Sequence, residues 1–151
     1  MRTYGVALLT SVGLFIASCA APMPGSDVGG RVLSRSPATV IVPIQATRED
    51  AMDALAVGTL FIEGRCLRLG QTSSRSYLVI WPATAEFRTI GDSQRLVNRE
   101  SGDSFRLGDR VAVAGGEVPE SRISKLNLTT AVPSDCRGPY WLAGQFRHPS
   151  T

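Results

Sequence analysis

The sequence predicts a mainly β fold, a small antiparallel β-barrel of the OB-like kind with one or two short helices and one disulfide. Three observations lead to this prediction. Short apolar segments typical of strands recur between residues 58 and 146. Glycines separate these segments, as they do where the strands of small barrels turn corners. Two cysteines, Cys66 and Cys136, lie within the same part of the chain.

The strand segments follow one another with short polar connections. Residues 59–69 are too long for one flat strand, and we expect a bulge or sharp bend at Gly64 that turns the apolar side chains on both sides inward. Residues 77–81 are apolar on both faces and end at Pro82, which is typical of a covered strand. Further strand segments are predicted at 95–98, 104–107, 110–114 and 140–146, which gives about six strands, a number typical of small barrels. Residues 40–44 are predicted as a short edge strand, because Pro43 excludes them from the centre of a sheet.

Two short helices are predicted beside these strands. Residues 47–57 begin with a spacing close to a capping box and are followed by Gly58, a common helix stop. Residues 119–128 place Ile123 and Leu126 three positions apart on one helix face. A helix at 119–128 falls late for the standard OB strand order, so the sequence leaves the strand topology open.

The first 20 residues have the layout of an export signal. Arg2 supplies a positive charge, and residues 6–17 form an uncharged, mainly apolar run that is too short for a hydrocarbon core of about 30 Å. The run leads into residues 16–19, Ile-Ala-Ser-Cys, which resemble the lipobox of bacterial lipoproteins. The resemblance implies cleavage after residue 18 and attachment of lipid to the sulfur of Cys19. The alternative is an ordinary secretory signal with a chance cysteine.

This interpretation divides the chain and places it in the cell envelope. Residues 1–18 are the predicted signal peptide, 19–46 the lipidated N-terminus with a flexible tether, 47–147 the barrel domain and 148–151 a tail. The Pro- and Gly-rich part of the tether would reach roughly 25 Å from the membrane. The acylated Cys19 makes the lipid bilayer the predicted partner, on the periplasmic face of the outer membrane if the host is Gram-negative.

The cysteine count agrees with this division. The chain has three cysteines, and assigning Cys19 to lipid leaves Cys66 and Cys136 as a pair. Two cysteines of one small domain outside the cytoplasm typically form a disulfide, and closing a loop of about 70 residues would stabilise the fold by about 4 kcal/mol. The alternative, a reactive thiol pair, lacks the C-x-x-C spacing and a nearby histidine.

The sequence predicts no catalytic residue, metal site or cofactor. The single histidine, His148, lies beside the C-terminal tail, where a solvated role is expected rather than that of a base. With 16 basic against 13 acidic residues, the chain lacks the excess of basic residues that nucleic-acid binding requires. The scattered arginines are interpreted as solvated strand residues rather than a phosphate site; they include Arg65, Arg68, Arg75, Arg88, Arg106 and Arg110.

The candidate ligand-binding residues are aromatic and charged. Aromatic side chains on the strands could form a stacking platform for a sugar or peptide, with Arg65 and Glu117 as polar partners; the alternative is that the aromatics anchor the core. We therefore predict a non-catalytic binding module for an envelope protein or glycan. The alternatives are a carboxylate-based glycan hydrolase, which needs two facing acids, and a structural envelope factor without a small ligand. The aromatics are Phe61, Tyr77, Trp81, Tyr140 and Trp141, and the acids are Glu63, Glu86, Asp92, Asp109 and Glu117.

An ordered set of short segments resembles a group of uncharacterised bacterial exported proteins over residues 58–146. The group has no established activity, so the resemblance implies no functional residue. It adds support for a bridge between Cys66 and Cys136, because both lie inside matched segments. The segments are 58–67, 77–82, Gly108-Asp109 with Val111, 115–117 and 136–141.

Overall fold

The computed structural model describes residues 39–49 and 52–150, and these residues form a mainly β fold. The predicted fold class is confirmed at this level. The predicted signal peptide, Cys19 and most of the predicted tether lie outside the described residues. None of the helices in the described part has the length and hydrophobicity of a membrane span.

In chain order the elements are β1 (Ala54–Glu63), β2 (Cys66–Thr72), β3 (Arg75–Ile80), β4 (Ala85–Ile90), β5 (Ser93–Asn98), β6 (Ser104–Arg106), β7 (Arg110–Val118), α1 (Glu120–Ile123) and β8 (Tyr140–Arg147).

Five of the strands pair in the closed order β1-β2-β3-β8-β7, because β7 pairs back onto β1. Alternate residues of these strands point inward and form the main core; they include Leu60, Leu67, Leu69, Val111 and Val113. The prediction of antiparallel pairing throughout is wrong at one position, because β3 and β8 are parallel. Parallel neighbours need a long connection, and here the chain between β3 and β8 forms four other strands and α1 before it returns.

The run at 59–69 forms a hairpin rather than one bent strand. Glu63 pairs with Cys66, and Gly64 takes a φ of 62° in the turn between them. Glycine adopts this left-handed conformation without steric cost, which explains its position at the turn. The apolar side chains on both sides of Gly64 point into the core, as the prediction required, but the chain reverses direction to place them there.

The remaining strands form a separate three-stranded sheet in the order β4-β5-β6. The hairpin of β5 and β6 agrees with the prediction for residues 95–107, whereas β4 was not predicted as a strand. One row of this sheet, Phe87, Leu96 and Phe105, is in register across all three strands. Leu96 and Phe105 are fully buried in the main core, and Phe87 packs against it.

The predicted helix over 47–57 is wrong. Residues 54–57 belong to β1 and pair with β7, from Ala54 opposite Gly115 to Val57 opposite Ala112. The helical tendency of this alanine-containing segment is a weak preference, and pairing with a neighbouring strand overrides it. The predicted second helix is shorter than expected, since α1 has only four residues.

The segment before β1, which the sequence predicted as a short edge strand at the end of the tether, packs against the domain. Ile41 forms a bridge with Cys66, and Ile44 forms one with Trp81. The side chain of Gln45 is 1% exposed, and its Nε2 donates to the carbonyl oxygen of Ala143 at 2.7 Å and to that of Ile80 at 3.3 Å. These carbonyls belong to β8 and β3, so the amide joins the two parallel strands. The packed domain therefore includes residues 40–45, which precede the predicted boundary at 46.

The predicted disulfide is confirmed. Cys66 on β2 and Cys136 in the connection between α1 and β8 are bonded, with their Cα atoms 5.6 Å apart. Both are buried in a second apolar cluster with Ile80, Ile123 and Leu142. This cluster lies beneath the connection, so the bond attaches a long loop to the outer face of the five-stranded sheet.

Candidate functional site

A groove of about 550 Å³ lies where the first half of β1 meets the β2–β3 hairpin and the start of β8. We call it the Tyr77 groove. Its volume falls in the range of small-ligand and peptide sites. The residues that matter for its chemistry are Leu55, Val57, Arg75, Tyr77, Pro139 and Trp141.

Two aromatic rings form the inner part of the Tyr77 groove. The ring centroids of Tyr77 and Trp141 are 5.1 Å apart, with a tilt of 56° between the planes. This is a favourable geometry for an aromatic pair. Trp141 is 7% exposed and belongs to the main core, whereas Tyr77 is half-buried. The pair therefore offers a firm apolar wall, held from behind by the core.

The outer part of the groove carries exposed aliphatic side chains. Leu55 is 60% exposed and Val57 is 41% exposed, and both point outward from β1, away from the inward-facing Leu60. Sequence reasoning missed them because residues 47–57 were assigned to a helix. Residues 54–60 carry no polar and apolar alternation in the sequence, so only the pairing of β1 with β7 shows that these two side chains lie on its outer face.

Arg75 is the only charged residue that lines the groove, and it is exposed. None of the ion pairs in the described part of the chain includes it. One free cation beside an apolar wall favours a ligand that is mainly apolar and carries a negative group.

The position of Trp141 depends on a glycine in β7. The register between β7 and β8 shifts at Ala114 and Gly115. A Cβ atom added at Gly115 would lie 2.0 Å from the carbonyl oxygen of Leu142 and 2.9 Å from Nε1 of Trp141. The close approach of β8 to β7 therefore requires glycine at this position. The register shift thus marks Gly115 as an irregular position of β7 at which β8 approaches closely.

The predicted stacking platform does not form. Trp81 is fully buried and packs edge-to-face on Phe146, with 5.2 Å between the ring centroids. Tyr140 is 6% exposed and belongs to the second apolar cluster, on the opposite side of β8 from Trp141. The aromatics thus anchor two separate parts of the core. Of the five aromatic residues considered for the platform, Tyr77 and Trp141 border the Tyr77 groove.

The two predicted polar ligand residues lie elsewhere as well. Arg65 sits in the β1–β2 turn, and its guanidinium donates to both carboxylate oxygens of Asp135, at 2.8 and 3.0 Å. This hydrogen-bonded contact raises the pKa of Arg65 and lowers the pKa of Asp135 below its ordinary value. Glu117 is exposed on β7. The ion pair between Arg65 and Asp135 holds the α1–β8 connection against the β1–β2 turn, beside the disulfide, so its role is structural.

The candidate acids have separate contacts. Glu63 pairs with the buried Arg68 at 2.7 Å, and Glu86 lies 3.6 Å from Arg88. Asp109 accepts the backbone N–H of Arg106.

No group of three or more potential metal ligands occurs among residues 39–49 and 52–150. The ring of the exposed His148 packs on Phe105, with their centroids 4.3 Å apart.

No family model matches the chain, and neither does any curated protein or solved structure.

Proposed function

We propose that the protein is a lipid-anchored, non-catalytic binding module of the bacterial cell envelope, and that the Tyr77 groove takes a segment of a partner protein. The anchor rests on the lipobox-like residues 16–19, which make Cys19 the acylated first residue of the mature chain. Stable attachment to a bilayer needs more than one acyl chain, which the chemistry implied by this motif supplies.

The proposed domain is an OB-like barrel. Two features support it: the closed order of five strands, and the parallel pairing of the third and last strands of that order. The three-stranded sheet of β4, β5 and β6 is then an insertion between the third and fourth barrel strands. Barrels of this kind present grooves beside their second and third strands, which is where the Tyr77 groove lies.

The exposed aliphatic pair, Leu55 and Val57, is the observation that carries the choice of a protein partner. Among the described residues, the large apolar side chains with high exposure are not aromatic, and every Phe, Tyr and Trp is buried or half-buried. A glycan site would present an aromatic ring flat to solvent, whereas aliphatic side chains beside a groove are typical of peptide contacts. The same observation makes glycan binding the weaker of the two predicted functions.

The test is crosslinking in native envelopes with the lipidated protein. A photo-crosslinking residue at Leu55 should capture a discrete partner protein. Val57→Asp should abolish the crosslink, because it places a charge on the groove's apolar rim. Leu107→Asp is the matched control: Leu107 is 39% exposed against 41% for Val57, and it lies outside the groove. Equal crosslinking in the two variants, or capture of no discrete partner, would contradict the proposal.

The anchor has a separate test. Mass spectrometry of the native protein should find a mature chain that begins at Cys19 and carries fatty acid. A chain that begins elsewhere would remove the membrane from the proposal and leave the groove to be tested alone.

A further inference from the structure

Three arginines lie side by side across the three-stranded sheet. The register pairs Arg88 of β4 with Arg95 of β5, and Arg95 with Arg106 of β6. Neighbouring strands are about 4.8 Å apart, so the three side chains start from a row about 10 Å long. We call it the arginine row. The sequence separates its members by seven and eleven residues, and only strand pairing brings them together.

The arginine row faces away from the core. Successive residues of a strand point to opposite faces. The adjacent register row of Phe87, Leu96 and Phe105 points into the core, so the arginines point outward. Arg88 and Arg106 are exposed and Arg95 is half-buried. The row is therefore open to solvent at both ends and partly covered at its centre.

Few acidic groups neutralise this row. Among the described residues, Glu86 is its one ion-pair partner, 3.6 Å from Arg88 at the edge of the sheet. Asp109 approaches the other end, where its carboxylate accepts the backbone N–H of Arg106. At the centre, Arg95 has only a 3.4 Å contact from Nη1 to the hydroxyl of Ser104, and its Nε is buried without a hydrogen-bond partner in the described structure.

Like charges directly opposite each other on neighbouring strands destabilise a sheet, and here the arrangement occurs twice in succession. Guanidinium groups bind phosphate oxygens through paired N–H donors, and a phosphate monoester carries nearly two negative charges. We propose that the arginine row is a binding site for phosphate groups. Arg95 takes the central position, and its flanking arginines contact the same or an adjacent phosphate.

Phosphate could reach this site from a phospholipid headgroup or from a soluble phosphate compound. The site does not depend on the Tyr77 groove, which lies on the other sheet, nor on the lipid anchor. If the lipid anchor is present, binding of phospholipid headgroups by the arginine row would orient the domain against the membrane that holds it.

The test uses residues 19–151 with Cys19→Ser, so that no acyl chain contributes to binding. One arm measures sedimentation with vesicles of phosphatidylglycerol and phosphatidylcholine, against phosphatidylcholine alone. The other measures binding of inorganic pyrophosphate by calorimetry. Arg95→Gln should weaken binding about five-fold, the effect expected for one basic residue near an anionic surface, and replacing the three arginines together should abolish it.

Two controls remove the same charge from other exposed positions. Lys125→Gln and Arg110→Gln should change affinity less than two-fold, because neither residue belongs to the row. Arg95→Gln relieves the repulsion between paired cations, so the melting temperature of this variant should not fall. Weaker binding with an unchanged melting temperature would then reflect loss of the site and not loss of the fold.

The outcomes separate the two sources. Row-dependent binding to vesicles alone identifies lipid headgroups, and row-dependent binding of pyrophosphate alone identifies a soluble ligand. Binding of neither probe at millimolar concentration overturns the proposal. Equal losses in the control variants overturn it too, because they would reduce the effect to overall charge.

Discussion

Removing the disulfide should cost this domain a large part of its stability. The bond joins cysteines 70 positions apart, Cys66 and Cys136. On the chain-entropy model, a loop of this length restricts the unfolded chain by about 4 kcal/mol at 25 °C. Typical domains are stable by only 5–15 kcal/mol, so the expected loss is substantial. For a domain near 100 residues it corresponds to a fall in melting temperature of about 20 °C.

The assay is equilibrium unfolding in urea, followed by circular dichroism, of the wild type and of the Cys66→Ala/Cys136→Ala variant. Alanine is chosen because both sulfurs are buried and a serine hydroxyl would add a separate penalty. Asp135→Asn is the control, since it removes the exposed contact with Arg65 beside the bond and leaves the bond intact. It should change stability little.

A loss below about 1 kcal/mol in the alanine variant would refute this reasoning, since it would mean that the unfolded chain is already restricted without the bond. A comparable loss in Asp135→Asn would also refute it, because the ion pair and not the covalent bond would then hold the connection.

Three further predictions concern single contacts. Gly115→Ala should lower the free energy of unfolding in urea by about 2 kcal/mol, because the new Cβ meets a backbone carbonyl oxygen of β8. Gly116→Ala is the control and should lower it less, because its Cβ meets the side chain of a methionine. Equal losses of stability in the two variants would contradict this reasoning. Gln45→Ala should cost about 2 kcal/mol, since it leaves two buried carbonyls without their donor; no change in melting temperature would show that water replaces the amide. The pKa of Asp135, followed by NMR, should rise in Arg65→Gln, because the Arg65 guanidinium holds this pKa low. The contact stabilises the fold at pH values above the ordinary pKa of the carboxyl group, and this stabilisation is lost as the pH falls through the lowered pKa of Asp135. An unchanged pKa in the variant would show that Arg65 does not lower it.

The sequence predicted those parts of the fold that depend on local pattern. Apolar runs at 77–81 and 140–146 identified β3 and β8, and Pro82 correctly marked the end of the first. The segment at 54–57 failed because its residues favour neither helix nor strand strongly, and contact with β7 decides the outcome. The strand β4 was missed although residues 85–88 alternate apolar and charged side chains, which is the pattern of a half-buried strand; its pairing with β5 shows it directly.

The candidate sites were harder to predict than the strands. Trp81 and Tyr140 were candidates by residue type, yet an aromatic side chain serves a core or a ligand equally well until its exposure is known. The Tyr77 groove combines residues from β1, β3 and β8, which are far apart in sequence. Arg95 was not among the arginines that the sequence singled out, because nothing in its local sequence distinguishes it from any solvated strand residue.

What the sequence by itself determined is therefore the strand-rich character and the cysteine pair, since each follows from residue types and short spacings; the N-terminal address stays a prediction. Only the tertiary structure decided which strands are neighbours, where the parallel pair lies and which side chains face water. The physical reason is that strand pairing joins residues distant along the chain, and a shift of one residue in register reverses the face on which every side chain lies. The arginine row exists only in the register that the folded sheet adopts.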